Sequence, residues 1–259
     1  MTTVSDILNF VESIAPPYMK EDWDNVGLLC GRKSQPVHKI LAALDPFHSV
    51  IQEAIAMGAD LIVTHHPLIF RDQVASVTDE TETGRCILEL AAHGIAAINA
   101  HTNLDMAPGG VNDVLAATLG LENIRIIDPI ENYGLLRMGT VRHQSLGDFL
   151  ASVKRNLHCP GLRYVDGGKP VRRVAVGGGA CGGGIRDAFR AGCDTFVTSD
   201  IKYNQFREAY DLGLNLIDAG HFFTENPVVP VVAAKIAAAF PEVEVKFSEN
   251  HTDPMKFFV

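Results

Sequence analysis

The sequence lacks the features that mark several specialised protein classes. Nowhere in its 259 residues does an apolar stretch approach the ~20 residues that a membrane-spanning helix requires. The opening Met1-Thr2-Thr3-Val4-Ser5-Asp6 has neither a basic leader nor an apolar signal core, so no secretion signal is read and a cytoplasmic location is expected. Basic residues are scarce: 22 Lys and Arg against 31 Asp and Glu give a net charge of −9. Broad nucleic-acid binding needs clustered Lys and Arg and is not expected, whereas a small anionic substrate held through metal ions is compatible with an acidic chain. The five cysteines (Cys30, Cys86, Cys159, Cys181 and Cys193) are scattered and form no Cys-x-x-Cys pair. A thiolate zinc site and a disulfide framework are therefore both poorly supported, and any metal is expected on His and carboxylate. Tryptophan occurs once, at Trp23, inside the polar turn Glu21-Asp22-Trp23-Asp24-Asn25. The local reading there is a capped turn with Trp23 as a hydrophobic plug.

What is present is an ordinary globular composition, 47% hydrophobic and 20% charged, long enough for one large or two small domains. Residues 3–14 have helical spacing (Val4, Ile7, Leu8, Val11), with Thr3 or Ser5 as a cap and Pro16-Pro17 as the stop. Strands follow at Ile40–Leu44, at Leu61-Ile62-Val63-Thr64 and at Ile95–Ile98, separated by helices over 47–57 and Thr81–His93 that end at Gly58 and near Gly94. Such alternation predicts an α/β architecture. The second strand runs straight into His65-His66-Pro67, and the carboxyl edge of an open α/β sheet is where ligands usually bind. Residues 121–170 read as a link between lobes, with a strand over Gly134–Arg142, a helix over Leu146–Leu157 and a strand with a turn over Gly161–Pro170.

The first pattern then returns. Ala54-Ile-Ala-Met-Gly-Ala-Asp-Leu-Ile-Val-Thr-His-His66 aligns without a gap on Ala188-Phe-Arg-Ala-Gly-Cys-Asp-Thr-Phe-Val-Thr-Ser-Asp200. Gly94–Asp105 aligns on Gly213–Glu225 with one inserted residue. The expectation is an α/β fold of two similar lobes, 1–130 and 131–259, each with a mixed sheet flanked by helices. The lobes are related by internal duplication. The duplication puts polar clusters at equivalent strand ends: His65-His66, His101 with Asp105, Ser199-Asp200, and His221 with Glu225. Within the second and fourth clusters the residues are four apart, hence on one face if the segment is helical. Imidazoles and carboxylates together suit Zn, Fe, Mn or a similar divalent ion. The glycines at 177–179 and 182–184 follow a strand and open a helix; they can cradle a phosphate or allow tight packing, and no Lys stands beside them.

Four blocks give a resemblance. Asp24-Asn25-Val26-Gly27-Leu28, Ala59-Asp60-Leu61-Ile62-Val63-Thr64-His65-His66-Pro67, Ala100-His101-Thr102-Asn103-Leu104-Asp105 and Asp218-Ala219-Gly220-His221-x-x-x-Glu225 occur in the order found in the Nif-three-like family, also called GTP cyclohydrolase I type 2 homologs. The chain resembles the short family form, without the extra domain of longer members, and departs from the usual pattern at Ser199, Tyr203-Asn204 and Phe222. The resemblance implies two divalent metal ions per chain in a metal site in the cleft between the lobes, with His66 and Asp105 on one, His65 and His221 on the other, and Glu225 bridging. It also implies a homo-oligomer, a hexameric ring, and a small-molecule substrate, with a nucleotide suggested by the family label. The expected chemistry is metal-dependent hydrolysis, with His101, Asp45 and Asp200 as proton-transfer or ligand-orienting residues. The alternative is a non-catalytic metal-binding regulatory ring.

Overall fold

A computed structural model describes residues 1–70 and 74–258. Thr3 opens α1 (Val4–Ile14): its hydroxyl accepts from Asp6 N at 3.3 Å while Asp6 Oδ2 accepts from Thr3 N at 2.9 Å, a reciprocal cap. Then come β1 (Gly27–Cys30), β2 (Lys39–Ala43), α2 (His48–Met57), β3 (Leu61–Thr64), α3 (Glu82–Ala92), β4 (Ala96–Asn99) and the short α4 (Thr102–Met106). The middle of the chain forms α5 (Val111–Thr118), β5 (Glu122–Ile126), β6 (Arg137–Gln144), α6 (Leu146–Asn156) and β7 (Arg163–Val165). A second alternating run follows: β8 (Val171–Val176), α7 (Ile185–Arg190), β9 (Thr195–Thr198), α8 (Tyr203–Leu212), β10 (Asn215–Asp218) and α9 (His221–Glu225). Last are α10 (Val228–Ala239) and β11 (Glu244–Phe247).

Two compact units result. One comprises Met1–Ala107 with Val229–Thr252, the other Pro108–Val228 with the residues from Asp253 onward. In the first, the sheet order is β1-β4-β3-β2-β11, with β1 antiparallel and the other four parallel. In the second, the order is β5-β6-β8-β9-β10-β7; β8, β9 and β10 are parallel, β6 and β7 run antiparallel to them on either side, and β5 pairs antiparallel with β6. Both are mixed sheets flanked by helices, as the sequence pattern predicts. Each contains the same β-α-β-α-β run with an antiparallel strand beside its last member. Matching residues do matching work. Asp60 Oδ2 accepts from His38 N at 2.7 Å and Lys39 N at 2.9 Å, at the start of β2. Asp194 Oδ2 accepts from Arg172 N at 3.1 Å and Arg173 N at 2.8 Å, at the start of β8. The glycines that end the helices, Gly58 and Gly94 in one run, Gly192 and Gly213 in the other, all have φ between +64° and +79°.

The second sheet is covered on both faces. Leu115, Phe149 and Val153 pack with Val174, Val197 and Ile217 on one side. Ile185, Ala188 and Ala209 pack with Ala175, Phe196 and Leu216 on the other. In the first unit Val50, Ile51, Cys86 and Leu90 of the helices cover Leu41, Ile62 and Ala97. Burial of both faces is why these central strands read as unbroken apolar runs.

Two expectations are corrected here. Residues 121–170 are not a link, because β5, β6 and β7 are strands of the second sheet. The cut expected at 130 falls after Ala107, where Pro108 interrupts the helix propensity, and residues 229–252 return to the first unit. Two strands, β5 and β11, lie at sheet edges with mainly exposed residues and carry little apolar signal. Among the described residues no helix is long and apolar enough to cross a membrane, and all five cysteines are free.

Candidate metal centre

Three neighbouring parallel strands of the first unit deliver their carboxyl ends to one edge. β2 leads to Asp45, β3 to His65-His66, and β4 to His101 and α4, which carries Asp105. One ring nitrogen from each of His65, His66 and His101 lies within 4.8 Å of the others, a set that can hold a metal ion. The ring centroids are 4.9–5.4 Å apart.

Each imidazole is held from behind. His65 Nδ1–H donates to the Ala100 carbonyl at 2.9 Å, His66 Nδ1–H to Asp45 Oδ1 at 2.6 Å, and His101 Nδ1–H to Asp24 Oδ1 at 2.8 Å. An acceptor-only oxygen behind Nδ1 sets the tautomer, so Nε2 is the atom each ring brings to a cation. Asp105 Oδ1 lies 3.6 Å from His65 Nε2. The arrangement combines imidazole with carboxylate and fits a borderline divalent ion.

Two residues that the sequence reading left out of the site support it. Asp24 is fully buried, and besides His101 it accepts from Thr102 N at 3.0 Å and Thr102 Oγ1 at 2.6 Å. Burial acts to raise its carboxyl pKa, but the hydrogen bonds from His101 and Thr102 outweigh that and hold it well below the usual carboxylate range. Asp45 shows the same balance: burial is outweighed by hydrogen bonds from His251 and His66. His251 Nε2–H reaches Asp45 Oδ2 at 2.8 Å across 206 residues of chain, a pairing that no local pattern signals. For Asp24 the signal was its place in the Asp-Asn-Val-Gly-Leu block. Trp23 is not a plug: it is 56% exposed, with its ring edge-on to His101 at 5.8 Å.

The second unit carries the other group. Gly220, at φ +84°, turns the chain from β10 into α9, and α9 puts His221 and Glu225 on one face. His221 Nδ1–H donates to Asp200 Oδ2 at 2.7 Å, and His221 Nε2 lies 3.0 Å from Glu225 Oε2. With Nδ1–H committed to Asp200, the approach of Nε2 to a carboxylate oxygen calls for a positive charge between them, a second proton or a metal ion. Asp200 has φ +54°, a strained conformation for aspartate that places its carboxylate behind the ring. Glu225 is buried, 4% exposed. Gly179, at φ +63°, gives it room: a Cβ there would overlap Glu225 Oε1 and lie 3.1 Å from His221 Nε2.

The glycine run serves packing. Gly177 N donates to Val197 O at 3.0 Å, Gly178 N to Asn112 Oδ1 at 2.6 Å, and Gly179 N to Thr224 Oγ1 at 3.0 Å. Those amides are spent inside the protein and do not point at an anion.

Comparison with known proteins agrees with the resemblance carried by the four sequence blocks. The profile of the Duf34/NIF3 (NGG1p interacting factor 3) family matches residues 2–254. The chain belongs to the Duf34/NIF3 family. A Clostridium perfringens relative named GTP cyclohydrolase 1 type 2 homolog is 36% identical over 260 residues, covering 98% of this chain and 99% of the relative. The crystal structure of a Bacillus cereus protein related to NIF3 superposes with a TM-score of 0.94 at 26% identity, covering 100% of this chain and 99% of that one. A relative of the same name from Halalkalibacterium halodurans is 27% identical, and its alignment runs over 366 positions while covering 97% of this 259-residue chain and 98% of the relative. The present NIF3-family chain is thus the short form, as its sequence implied.

Proposed function

We propose that the protein is a dinuclear metal-dependent hydrolase acting on a nucleotide or a related phosphorylated small molecule, built as a homo-oligomeric, hexameric ring. His66 and Asp105 would hold one divalent ion and His65 and His221 the other, with Glu225 a ligand shared by the two. The observation that carries this reading is that His65 and His66 stand side by side at one sheet edge with Asp105, each imidazole with Nδ1 fixed on an oxygen. The family names support the substrate class; the ring rests on the resemblance alone.

When bound, such ions supply Lewis acidity, lowering the pKa of water to about 7 and neutralising an anionic substrate. The chain's own residues do the rest. Asp45 and Asp200 hold the His66 and His221 rings in place, an outer layer that orients ligands and raises their basicity. Asp24 fixes His101 as the Nδ1–H tautomer, so its Nε2 can take a proton from the attacking water and return it to the leaving group. The neutral edge of Trp23 and the ring of Phe70, 6.0 Å from His101, wall that imidazole.

Elemental analysis of chelator-free protein, wild type beside Glu225→Ala, tests the centre. Two equivalents per chain in the wild type and a clear loss in the variant are expected. With that metal supplied, GTP, other nucleotides and phosphoesters are then assayed for turnover, and His101→Ala is expected to keep its metal and lose rate. Wild-type protein that takes up no Zn, Mn or Fe on reconstitution overturns the hydrolase. Metal uptake with no turnover on any substrate would leave the regulatory ring.

A further inference from the structure

Asp45 faces two histidines, one on each oxygen. Oδ1 accepts from His66 Nδ1–H at 2.6 Å and Oδ2 from His251 Nε2–H at 2.8 Å. The second histidine stands on the segment after β11, and that segment is tied down along its length. Ser248 N donates to Ala42 O at 2.7 Å, Ser248 Oγ to Glu53 Oε2 at 2.5 Å, and His251 N to Ser248 Oγ at 3.1 Å. The His251 side chain is 4% exposed, and its ring stands edge-on to Phe47 at 5.6 Å. A histidine that fixed is a rigid donor.

We propose that His251 is a positioning residue of the metal centre: acting through Asp45, it holds the His66 imidazole in the orientation in which Nε2 takes a divalent ion. The proposal rests on the reading of His66 as a ligand. Its physical basis is torsional. The carboxylate of aspartate turns about a broad, roughly two-fold torsion. One hydrogen bond leaves that rotation loose, whereas an N–H donor on each oxygen locks the carboxylate plane. His66 takes its own ring orientation from that plane through a single bond, so slack in Asp45 becomes slack at Nε2. Removing the outer partner of a metal ligand typically weakens metal binding 10–100-fold, and His251 is one bond further out, which points to the lower end, about tenfold.

The test separates hydrogen bonding from packing. His251→Gln can restore an N–H donor near the Nε2 position; His251→Met fills a similar volume without one. Full-length wild type and both variants are titrated with Zn²⁺ alone against a competing chelator at one fixed pH, and the thermal midpoint of each metal-free protein is recorded. Expected are binding within about threefold of wild type for Gln, about tenfold weaker binding for Met, and metal-free midpoints that do not separate the two variants. Met binding Zn²⁺ as tightly as wild type overturns the proposal and leaves the His66 site standing. Equal weakening in Gln and Met, together with a matching fall in the metal-free midpoint, overturns it in favour of a packing role. Wild-type protein that binds no Zn²⁺ overturns the ligand reading as well, a result distinct from the other two.

Discussion

Gly179 offers a direct measure of how tightly the His221–Glu225 group of the second unit is built. Its φ of +63° is nearly that of Gly213, at +64°, in the same unit. A Cβ at Gly213 would find ordinary contacts at 3.4 Å or more, whereas at Gly179 it would overlap Glu225 Oε1 and sit 3.0 Å from Glu225 Cδ. Gly183, also in that unit, has nothing within 4 Å of its Cβ position. Gly213→Ala should therefore report the left-handed backbone alone, about 1–2 kcal/mol. Gly179→Ala adds an overpacking term of about 1–3 kcal/mol, for a total of about 2–5 kcal/mol. Gly183→Ala should be neutral or stabilising by up to about 1 kcal/mol, through the unfolded chain. Urea unfolding of the three variants, with metal content measured in parallel, checks the ordering. The substitution at Gly179 should also displace the buried carboxylate and reduce metal uptake, while the one at Gly213 should not. If Gly179→Ala matches Gly213→Ala within about 0.5 kcal/mol and keeps its metal, Glu225 is not pinned against the glycine loop and the reasoning fails.

Two further outcomes follow from buried charge. Arg137 is 1% exposed and donates Nε to Asp113 Oδ1 at 2.7 Å and Nη2 to Asp113 Oδ2 at 3.2 Å. Because Asp113 keeps some access to water, Arg137→Met should destabilise by about 3 kcal/mol, the low end for breaking a buried pair, measured by urea midpoint. Asp24 and Asp45 are held below the unfolded carboxylate value near 3.9, so the folded state binds their protons more weakly than the unfolded chain does. Their stabilisation is present above about pH 4 and is lost as the pH falls below that value toward their folded pKa values. Unfolding midpoints from pH 6 to pH 3 should drop, and Asp24→Asn should flatten the slope; an unchanged slope refutes the assignment.

Local pattern carried the parts of this protein that are locally determined. β3, β4, β9 and β10 are buried at every residue, so each is an apolar run with a polarity change at its end, and those ends are where His65-His66, His101, Asp200 and His221 stand. His221 and Glu225 fell together on the short helix α9, whereas Asp105 lies on α4 and His101 stands just before that helix begins. What could not be read was whatever depends on partners distant in sequence. Asp24 resembles any turn aspartate until His101, 77 residues on, closes on it. His251 has no periodicity around it, and its meaning comes wholly from Asp45. For Trp23 hydrophobicity alone misleads: its loop is held by the hydrogen bonds that Asp24 accepts from Thr102 and by Asn25 Nδ2 donating to Ile69 O at 2.7 Å, and so it does not need the indole as an anchor.

The path of the chain through the first unit has a consequence for synthesis. Its sheet is written in two instalments, residues up to Ala107 and then Val229–Thr252, with the whole second sheet between them. During translation the outer edge of β2 stays without a neighbour until Glu244–Phe247 have been made, while the second sheet already has all its strands in hand. An open parallel edge is a template for pairing with other chains. The strand that closes it also delivers His251 to Asp45, so sealing the edge and bracing His66 are one event, and a nascent chain stalled before it would have neither.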